Sequence, residues 1–161
     1  MTFTHALSTN NYGPAKFIVT SSVANGTHST ISAALTSAVS GDTIFIRPGT
    51  YTENITLKAG VNLCANTCDA FTPNVVISGT CTFTAAGTVS ISGIRLASNG
   101  AEFLAVTGSA ASIVNLNNCY LTTAFDPGIT FSSSSGSSAI NIIDCRGDIS
   151  ASAKKFFAAS G

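Results

Sequence analysis

Tryptophan and glutamine are absent from this chain of 161 residues, and charged residues are scarce. Charged side chains make up 9 % of the residues, whereas ordinary globular domains have about 25 %. Seven Lys and Arg balance seven Asp and Glu, so no basic surface is expected that would attract nucleic acid. Disorder is not indicated, because 45 % of the residues are hydrophobic and the net charge is zero. We therefore expect one folded domain that does not bind nucleic acid.

The chain also lacks an apolar run of the ~18 residues that a membrane span requires, and its first residues contain no apolar signal segment. If Met1 is the native start, we expect synthesis and folding in the cytosol. The five cysteines are an odd number, and only Cys64 and Cys68 are close together in sequence. Because no His or further Cys stands beside them at ligand spacing, we expect buried thiols and neither a metal site nor a cofactor.

What is present divides the chain into an arm, a helix and many short strands. Residues 1–16 show no periodicity and predict an extended N-terminal arm, followed by one β-domain over residues 17–161. Ser29 or Thr30 can cap a helix over about residues 30–40, which Gly41 would end. Its predicted buried face consists of Ile31, Ala34, Leu35, Ala38 and Val39. Short β-rich runs predict strands at Phe17–Val19, Thr43–Ile46, Ile55–Leu57, Val61–Leu63, Val75–Ile77 and Cys81–Thr84.

A repeat with a period of 25 to 26 residues decides how these strands are arranged. The segments Val89–Leu96, Val114–Leu121 and Ile140–Gly147 align, and their first, third and sixth positions are apolar. A further strand precedes each of the later copies, at Phe103–Val106 and Ile129–Phe131. Such a repeat is typical of a coil whose turns stack, since one turn alone cannot bury its inner face. The predicted fold is all-β, a right-handed parallel β-helix with a short N-terminal capping helix.

The stretch from Thr30 to Ile55 resembles the start of pectin-lyase-like β-helix proteins, which include pectin methylesterases. The resemblance rests on the helix and on a Gly-x-Tyr-x-Glu pattern at Gly49, Tyr51 and Glu53. It implies that the helix covers the N-terminal end of the coil and that the pattern ends the first turn. It covers residues 29–63 closely and the rest of the chain only through the repeat.

The resemblance does not extend to the catalytic residues of that family. Its esterases share Gln and Asp residues on successive turns and an Arg-Pro-Trp segment. Only the Arg-Pro pair of that segment has a counterpart in this chain, at Arg47 and Pro48, and it stands in the first turn. Its lyases share clustered acidic calcium ligands, whereas the seven acidic residues here are scattered. No catalytic residue can therefore be assigned, and whether the chain is an enzyme stays open, with the balance against it.

The chain also resembles tail fibres and tailspikes of phages and other viruses. The likeness rests on the fold, on the many Asn, Ser, Thr and Gly residues and on the missing signal segment. That resemblance implies a virion or extracellular location after cytosolic synthesis, with other virion proteins and a cell-surface polysaccharide as partners. It also implies a homo-oligomer, with a trimer favoured. The adjacent Phe156 and Phe157 cannot both face one buried side of a strand, which supports association of subunits or continuation into further turns.

The sequence offers one candidate ligand-binding face, consisting of Arg95, Tyr120, Arg146 and Asp144. The first three each follow the inward sixth position of a repeat and are predicted to form an outward ladder. Asp144, Arg146 and Asp148 are predicted to point outward from one strand. Stacked guanidinium and aromatic groups can bind a sugar or can satisfy only one another. Both interpretations stay open at this point.

Two functions from different classes follow from these observations. In the first, the chain is a noncatalytic structural or glycan-binding domain of a viral tail fibre or tailspike. In the alternative, it is a polysaccharide-active enzyme similar to pectin esterases or lyases, or a degenerate relative of one.

On the inner side, Ile94, Cys119 and Cys145 are predicted to form one column, with both thiols reduced and buried.

Overall fold

Three parallel sheets wound from successive turns of one chain make up the described part of this protein. The computed structural model describes residues 17–20, 26–65, 74–97, 102–108, 110–123, 128–133, 137–149 and 157–160. One sheet has six strands, and each of the other two has five. Every strand pair is parallel and joins neighbouring turns. The prediction of an all-β parallel β-helix with one short helix is confirmed.

The elements follow one another in a regular order after the helix. The first strand is β1 (Phe17–Val19) and the helix is α1 (Ile31–Ser37). The next three-strand groups are β2 (Thr43–Ile46), β3 (Gly49–Tyr51) and β4 (Ile55–Thr56), then β5 (Asn62–Ala65), β6 (Val75–Ser78) and β7 (Cys81–Phe83). The later groups are β8 (Gly87–Ser92), β9 (Arg95–Ala97), β10 (Leu104–Gly108), β11 (Ser112–Asn117), β12 (Tyr120–Thr123), β13 (Ile129–Ser133), β14 (Ala139–Ile143), β15 (Arg146–Ile149) and β16 (Phe157–Ser160). The six-stranded sheet has the order β1-β2-β5-β8-β11-β14, and the two five-stranded sheets have the orders β15-β12-β9-β6-β3 and β16-β13-β10-β7-β4.

The strand register reproduces the sequence repeat residue by residue. Val89 pairs with Val114, and Val114 pairs with Ile140. Because side chains alternate along a strand, Ile91 and Leu116 face inward two positions later, and both are fully buried. The repeat therefore positions the hydrophobic core, which fills the inside of the coil from the helix end to the fourth three-strand group.

The inner side of β14 and of the bend that follows it is less well covered. Ile142 is aligned with the fully buried Leu116 but is 44 % exposed. Cys145 is partly exposed, whereas Cys119 in the preceding turn is fully buried, and both are free thiols. The predicted column is confirmed by a hydrogen bond of 3.3 Å from the backbone N–H of Cys119 to Cys145 Sγ. The prediction that Cys145 is buried is wrong, because no described turn follows to cover it.

Helix α1 covers the N-terminal end of the coil, as predicted, but it is shorter than predicted. Thr30 is its N-cap, and the side chain of Thr30 accepts a hydrogen bond from the backbone N–H of Ala33. Ala38 already has extended backbone angles, so the helix ends at Ser37 and not near Gly41. Val39 is 57 % exposed and donates its backbone N–H to the Asp42 carboxylate, so its assignment to the buried helix face is wrong.

Two further predictions concern the ends of the chain. The proposed extended arm, residues 1–16, lies outside the described residues. The segment after Ile149 was not predicted to contain a strand, yet β16 pairs with β13 and completes the last three-strand group. Within the described residues, no helix has the length and apolar character needed to cross a membrane.

Candidate functional site

A left-handed bend at the start of each repeat's last strand determines where the candidate face lies. Gly93, Asn118 and Asp144 occupy the fifth repeat position, with φ values of 69°, 53° and 52°. Gly, Asn and Asp are the residues that adopt this conformation most readily. The bend turns the chain from the six-stranded sheet into the sheet that contains β9, β12 and β15. Two residues after the bend, the residue at the seventh repeat position begins the next strand, and its side chain points outward.

The predicted ladder of outward side chains is present at that seventh position. Tyr120 pairs in register with Arg95 on one side and with Arg146 on the other. The guanidinium carbon of Arg95 lies 5.4 Å from the centroid of the Tyr120 ring, which is within the range of a cation–π contact. Adjacent strands are about 4.8 Å apart, so the three side chains form a continuous row along the axis of the coil.

Two outward residues that were not assigned to the candidate site also belong to this face. Thr122 and Asp148 pair in register two positions beyond Tyr120 and Arg146. Arg95 Nε donates a hydrogen bond of 3.2 Å to Thr122 Oγ1, and the Tyr120 hydroxyl donates a hydrogen bond to Asp148 Oδ2. We call the outward group Arg95, Tyr120, Thr122, Arg146 and Asp148 the Tyr120 face. Alternation along β12 and β15 was the signal that could have identified the additional pair.

The electrostatics of the Tyr120 face keep its phenol protonated. The hydrogen bond to Asp148 raises the pKa of Tyr120, and the cationic side chains of Arg95 and Arg146 oppose that rise. Arg95 uses only its Nε in a hydrogen bond, and its terminal amino groups have no hydrogen-bond partner in the described part of the chain. The face therefore combines a partly exposed ring, hydroxyl groups, guanidinium donors and a carboxylate acceptor, which are groups that bind polyhydroxylated ligands.

Asp144 does not join this set of contacts. It is exposed and lies in the bend between β14 and β15. The prediction that Asp144 shares one strand with Arg146 and Asp148 is therefore wrong. Asp adopts the left-handed backbone conformation more readily than most residues do, and this preference accounts for its presence here without any role in ligand binding. Its carboxylate acts on the neighbouring Cys145, whose pKa it raises slightly against stronger lowering effects.

The Gly-x-Tyr-x-Glu pattern attaches the helix to the coil. Glu53 Oε1 accepts a hydrogen bond of 2.9 Å from the Ile31 N–H, and Oε2 accepts 3.0 Å and 2.6 Å bonds from the Ser32 N–H and hydroxyl. Buried Tyr51 donates its hydroxyl to the Arg47 carbonyl at 2.9 Å. At the other end of α1, Lys58 Nζ donates to the carbonyl of Ala38 at 2.5 Å. These residues hold the capping helix in place, and their hydrogen bonds within the protein account for their presence without a ligand.

A groove of about 550 Å³ runs between α1 and the strand β4 beneath it. Its lining consists of Ser32, Leu35, Thr36, Asn54, Thr56, Leu57 and Lys58. Lys58 donates to the carbonyls of Leu35 and Ala38, and Asn54 Oδ1 accepts a 2.9 Å hydrogen bond from the Thr80 N–H. The groove is thus lined by groups that already hold α1 and the next turn.

Comparisons with known proteins do not assign this chain to a family. No protein-family model, no curated protein and no solved structure matches it. Within the described residues, no three His, Cys, Asp or Glu side chains come together as possible metal ligands. The Tyr120 face is therefore characterised by its own geometry alone.

Proposed function

We propose that this chain is a noncatalytic binding domain of a viral tail fibre or tailspike, with a pectin-lyase-like β-helix as its scaffold. We propose further that the Tyr120 face binds a cell-surface polysaccharide. The observation that carries the proposal is the row of Arg95, Tyr120 and Arg146 across three consecutive turns, with Asp148 and Thr122 hydrogen-bonded beside it.

The chemistry of this row suits a sugar better than an apolar ligand. A partly exposed aromatic ring offers a surface for the apolar side of a pyranose, while the surrounding groups donate to and accept from its hydroxyls. Arg95 supplies donors that the described protein atoms leave unused, and Asp148 supplies acceptor oxygens. Two guanidiniums would also favour polysaccharides that carry carboxylates.

A rigid scaffold strengthens the proposal, because paired strands fix the backbone positions of the face before a ligand arrives. Arg95, Tyr120 and Arg146 are on paired strands, and Ile94 and Leu121 beneath them are buried in the core. Preorganised groups lose less conformational entropy on binding than flexible ones do. The competing interpretation is that the same contacts serve only to stabilise the stacked turns.

Binding measurements on three variants distinguish these interpretations. Tyr120→Ala removes the ring and is expected to weaken polysaccharide binding by about tenfold, which corresponds to ~1.4 kcal/mol. Tyr120→Phe keeps the ring but loses the hydrogen bond to Asp148, so an intermediate loss is expected. The matched control is Asn115→Ala, which changes an outward hydrogen bond in the same turn but on the neighbouring sheet.

The measurement is equilibrium binding to immobilised bacterial surface polysaccharides, pectin and polygalacturonate. Retained binding by Asn115→Ala with a loss in Tyr120→Ala supports the Tyr120 face as the binding site. Equal binding by all variants would assign the ladder to stability alone. If the wild-type chain binds none of a broad panel, the glycan-binding proposal is wrong.

We also propose that the chain associates with itself, with a homotrimer as the expected state, and with other virion proteins. Support comes from the last three-strand group, where Ile142 and Ile143 are 44 % and 52 % exposed. Within the described chain β14 has a strand neighbour on one side only, and exposed strand edges favour further pairing. The side chains of Phe156 and Phe157, which entered the prediction from sequence, lie outside the described residues.

A further inference from the structure

Two cysteines of consecutive turns form a close pair that the proposed function does not use. Cys119 and Cys145 each follow a left-handed bend and precede a strand, and the strands that they precede are paired in register. The Cys119 backbone N–H donates to Cys145 Sγ at 3.3 Å, so the two residues are in direct contact. Adjacent strands lie about 4.8 Å apart, inside the Cα separation of 4.4–6.8 Å that disulfides span.

The two thiols differ in exposure and in acidity. Cys119 is fully buried, whereas Cys145 is partly exposed in the last three-strand group. The contact with the Cys119 side chain and the hydrogen bond from the Cys119 backbone N–H lower the pKa of Cys145, although burial and nearby Asp144 act in the opposite direction. The contact with the Cys145 side chain and burial raise the pKa of Cys119.

Such an arrangement is what a reactive thiol with a resolving partner requires. The nucleophile must be a thiolate near neutral pH and must be reachable from solvent, and the second thiol must lie within bonding distance. Cys81 provides the contrast within the same protein. It is fully buried, and burial raises the pKa of Cys81 to about 12, so it is not expected to react with a small disulfide that arrives from solvent.

We propose that Cys145 is a modification site for low-molecular-weight disulfides and that Cys119 resolves the resulting mixed disulfide into a bond between turns. In the first step the Cys145 thiolate attacks one sulfur of the small disulfide, the S–S bond breaks, and one small thiolate leaves. In the second step Cys119 attacks Cys145 Sγ, and its proton leaves with the second small thiolate, which the attack expels as a thiol. Two protein thiols are oxidised, and one small disulfide is reduced to two thiols that take up the protons.

The product would link β12 and β15 through the residues directly before them. It would tie the last three-strand group to the one above it, since Cys119 and Cys145 are 26 residues apart in sequence. This proposal is independent of glycan binding, because the thiols face the inner column and the Tyr120 face points outward.

The test exposes the folded 161-residue chain to oxidised glutathione at neutral pH and follows intact mass and peptide maps. After alkylation of the remaining thiols and unfolding, cleavage at Asp126 separates Cys119 from Cys145. A crosslinked pair of these two peptides, with Cys81 alkylated only after unfolding, is the expected result. Failure of the chain to lose two thiols, or a different crosslink, would overturn the proposal.

Single variants separate the two steps. Cys119→Ser should retain one glutathione on Cys145 as a stable mixed disulfide, because the resolving thiol is gone. Cys145→Ser should take up no glutathione at Cys119, and its urea unfolding midpoint checks that it is folded. Glutathione on Cys119 in the folded Cys145→Ser variant would show that Cys145 is not the entry site.

A pH profile provides a readout that does not depend on either variant. The rate of Cys145 alkylation by iodoacetamide in the folded wild-type chain should rise with a midpoint below the ordinary thiol value of about 8.5, because the pKa of Cys145 is lowered. A midpoint at the ordinary value would contradict the proposal, because the thiolate would then be too scarce at neutral pH.

Discussion

Replacing Glu53 with Ala should loosen the helix that covers the N-terminal end of the coil. The first turn of a helix has backbone N–H groups without partners inside the helix. Here Glu53 accepts from two of them, at Ile31 and Ser32, and also from the Ser32 hydroxyl. Thr30 accepts from the next N–H, at Ala33, and would remain in Glu53→Ala. The variant therefore removes most, but not all, of the N-terminal capping.

The magnitude follows from the number and setting of these bonds. Hydrogen bonds to a charged group contribute about 1.5–3 kcal/mol each, but Glu53 is only partly buried, so water can replace some of the lost contacts. Loss of a helix N-cap costs about 0.5–2 kcal/mol. We expect Glu53→Ala to lower the free energy of unfolding by about 2–3 kcal/mol, and Glu53→Gln by about half of that because one acceptor oxygen remains. The corresponding decrease in Tm is about 5–10 °C.

Urea denaturation and native-state hydrogen exchange measure this effect at two scales. The amides of Ala34 and Ala38, which donate to helix carbonyls, should exchange faster in Glu53→Ala than in the wild type. The matched control is Thr52→Ala, an exposed neighbour in the same segment, for which we expect less than about 0.5 kcal/mol. If Glu53→Ala were as stable as this control and the helix amides kept their protection, the assignment of Glu53 as the anchor of α1 would be refuted.

Three further predictions concern the repeat and the assembly. Gly93→Ala should lower the free energy of unfolding in urea by about 1–2 kcal/mol, because Gly93 has a φ of 69° that Ala adopts only with strain. Asn118→Gly, at the same repeat position, should leave the free energy of unfolding nearly unchanged. Equal effects of the two variants would argue against a strained bend. Leu116→Ala should cost about 2–5 kcal/mol, because Leu116 is fully buried between two turns; a loss below that of Asn115→Ala would contradict the inward register. Sedimentation equilibrium at micromolar concentrations should show a species of three chains, and a stable monomer across that range would dismiss the trimer.

The repeat made the inner core predictable, since each apolar position of one copy stacks on its counterpart in the next. Val89, Val114 and Ile140 align in sequence and pair in the structure for the same reason. The fifth position was visible as Gly, Asn or Asp, but its role as a left-handed bend required the backbone angles. Periodicity thus predicts which residues stack, while the conformation between strands depends on local backbone preferences.

Contacts between residues that are distant in sequence were beyond the reach of periodicity. Glu53 binds the helix start from 21 and 22 residues away, which local pattern alone does not reveal. The partial exposure of Cys145 depends on whether another turn covers it, so its alignment with Cys119 suggested more burial than the structure has. Asp148 joined the Tyr120 face only when the register of β12 and β15 was known.

Incubation of the purified chain with the polysaccharide that it binds tests the central proposal most directly. The chain length and ester content of the polysaccharide are measured before and after incubation, alongside the amount of bound protein. A noncatalytic binding domain should be retained by the polysaccharide and leave both quantities unchanged over hours. Shortened chains or released ester groups, lost when the chain is heat-denatured, would contradict that account and would establish a polysaccharide-active enzyme instead.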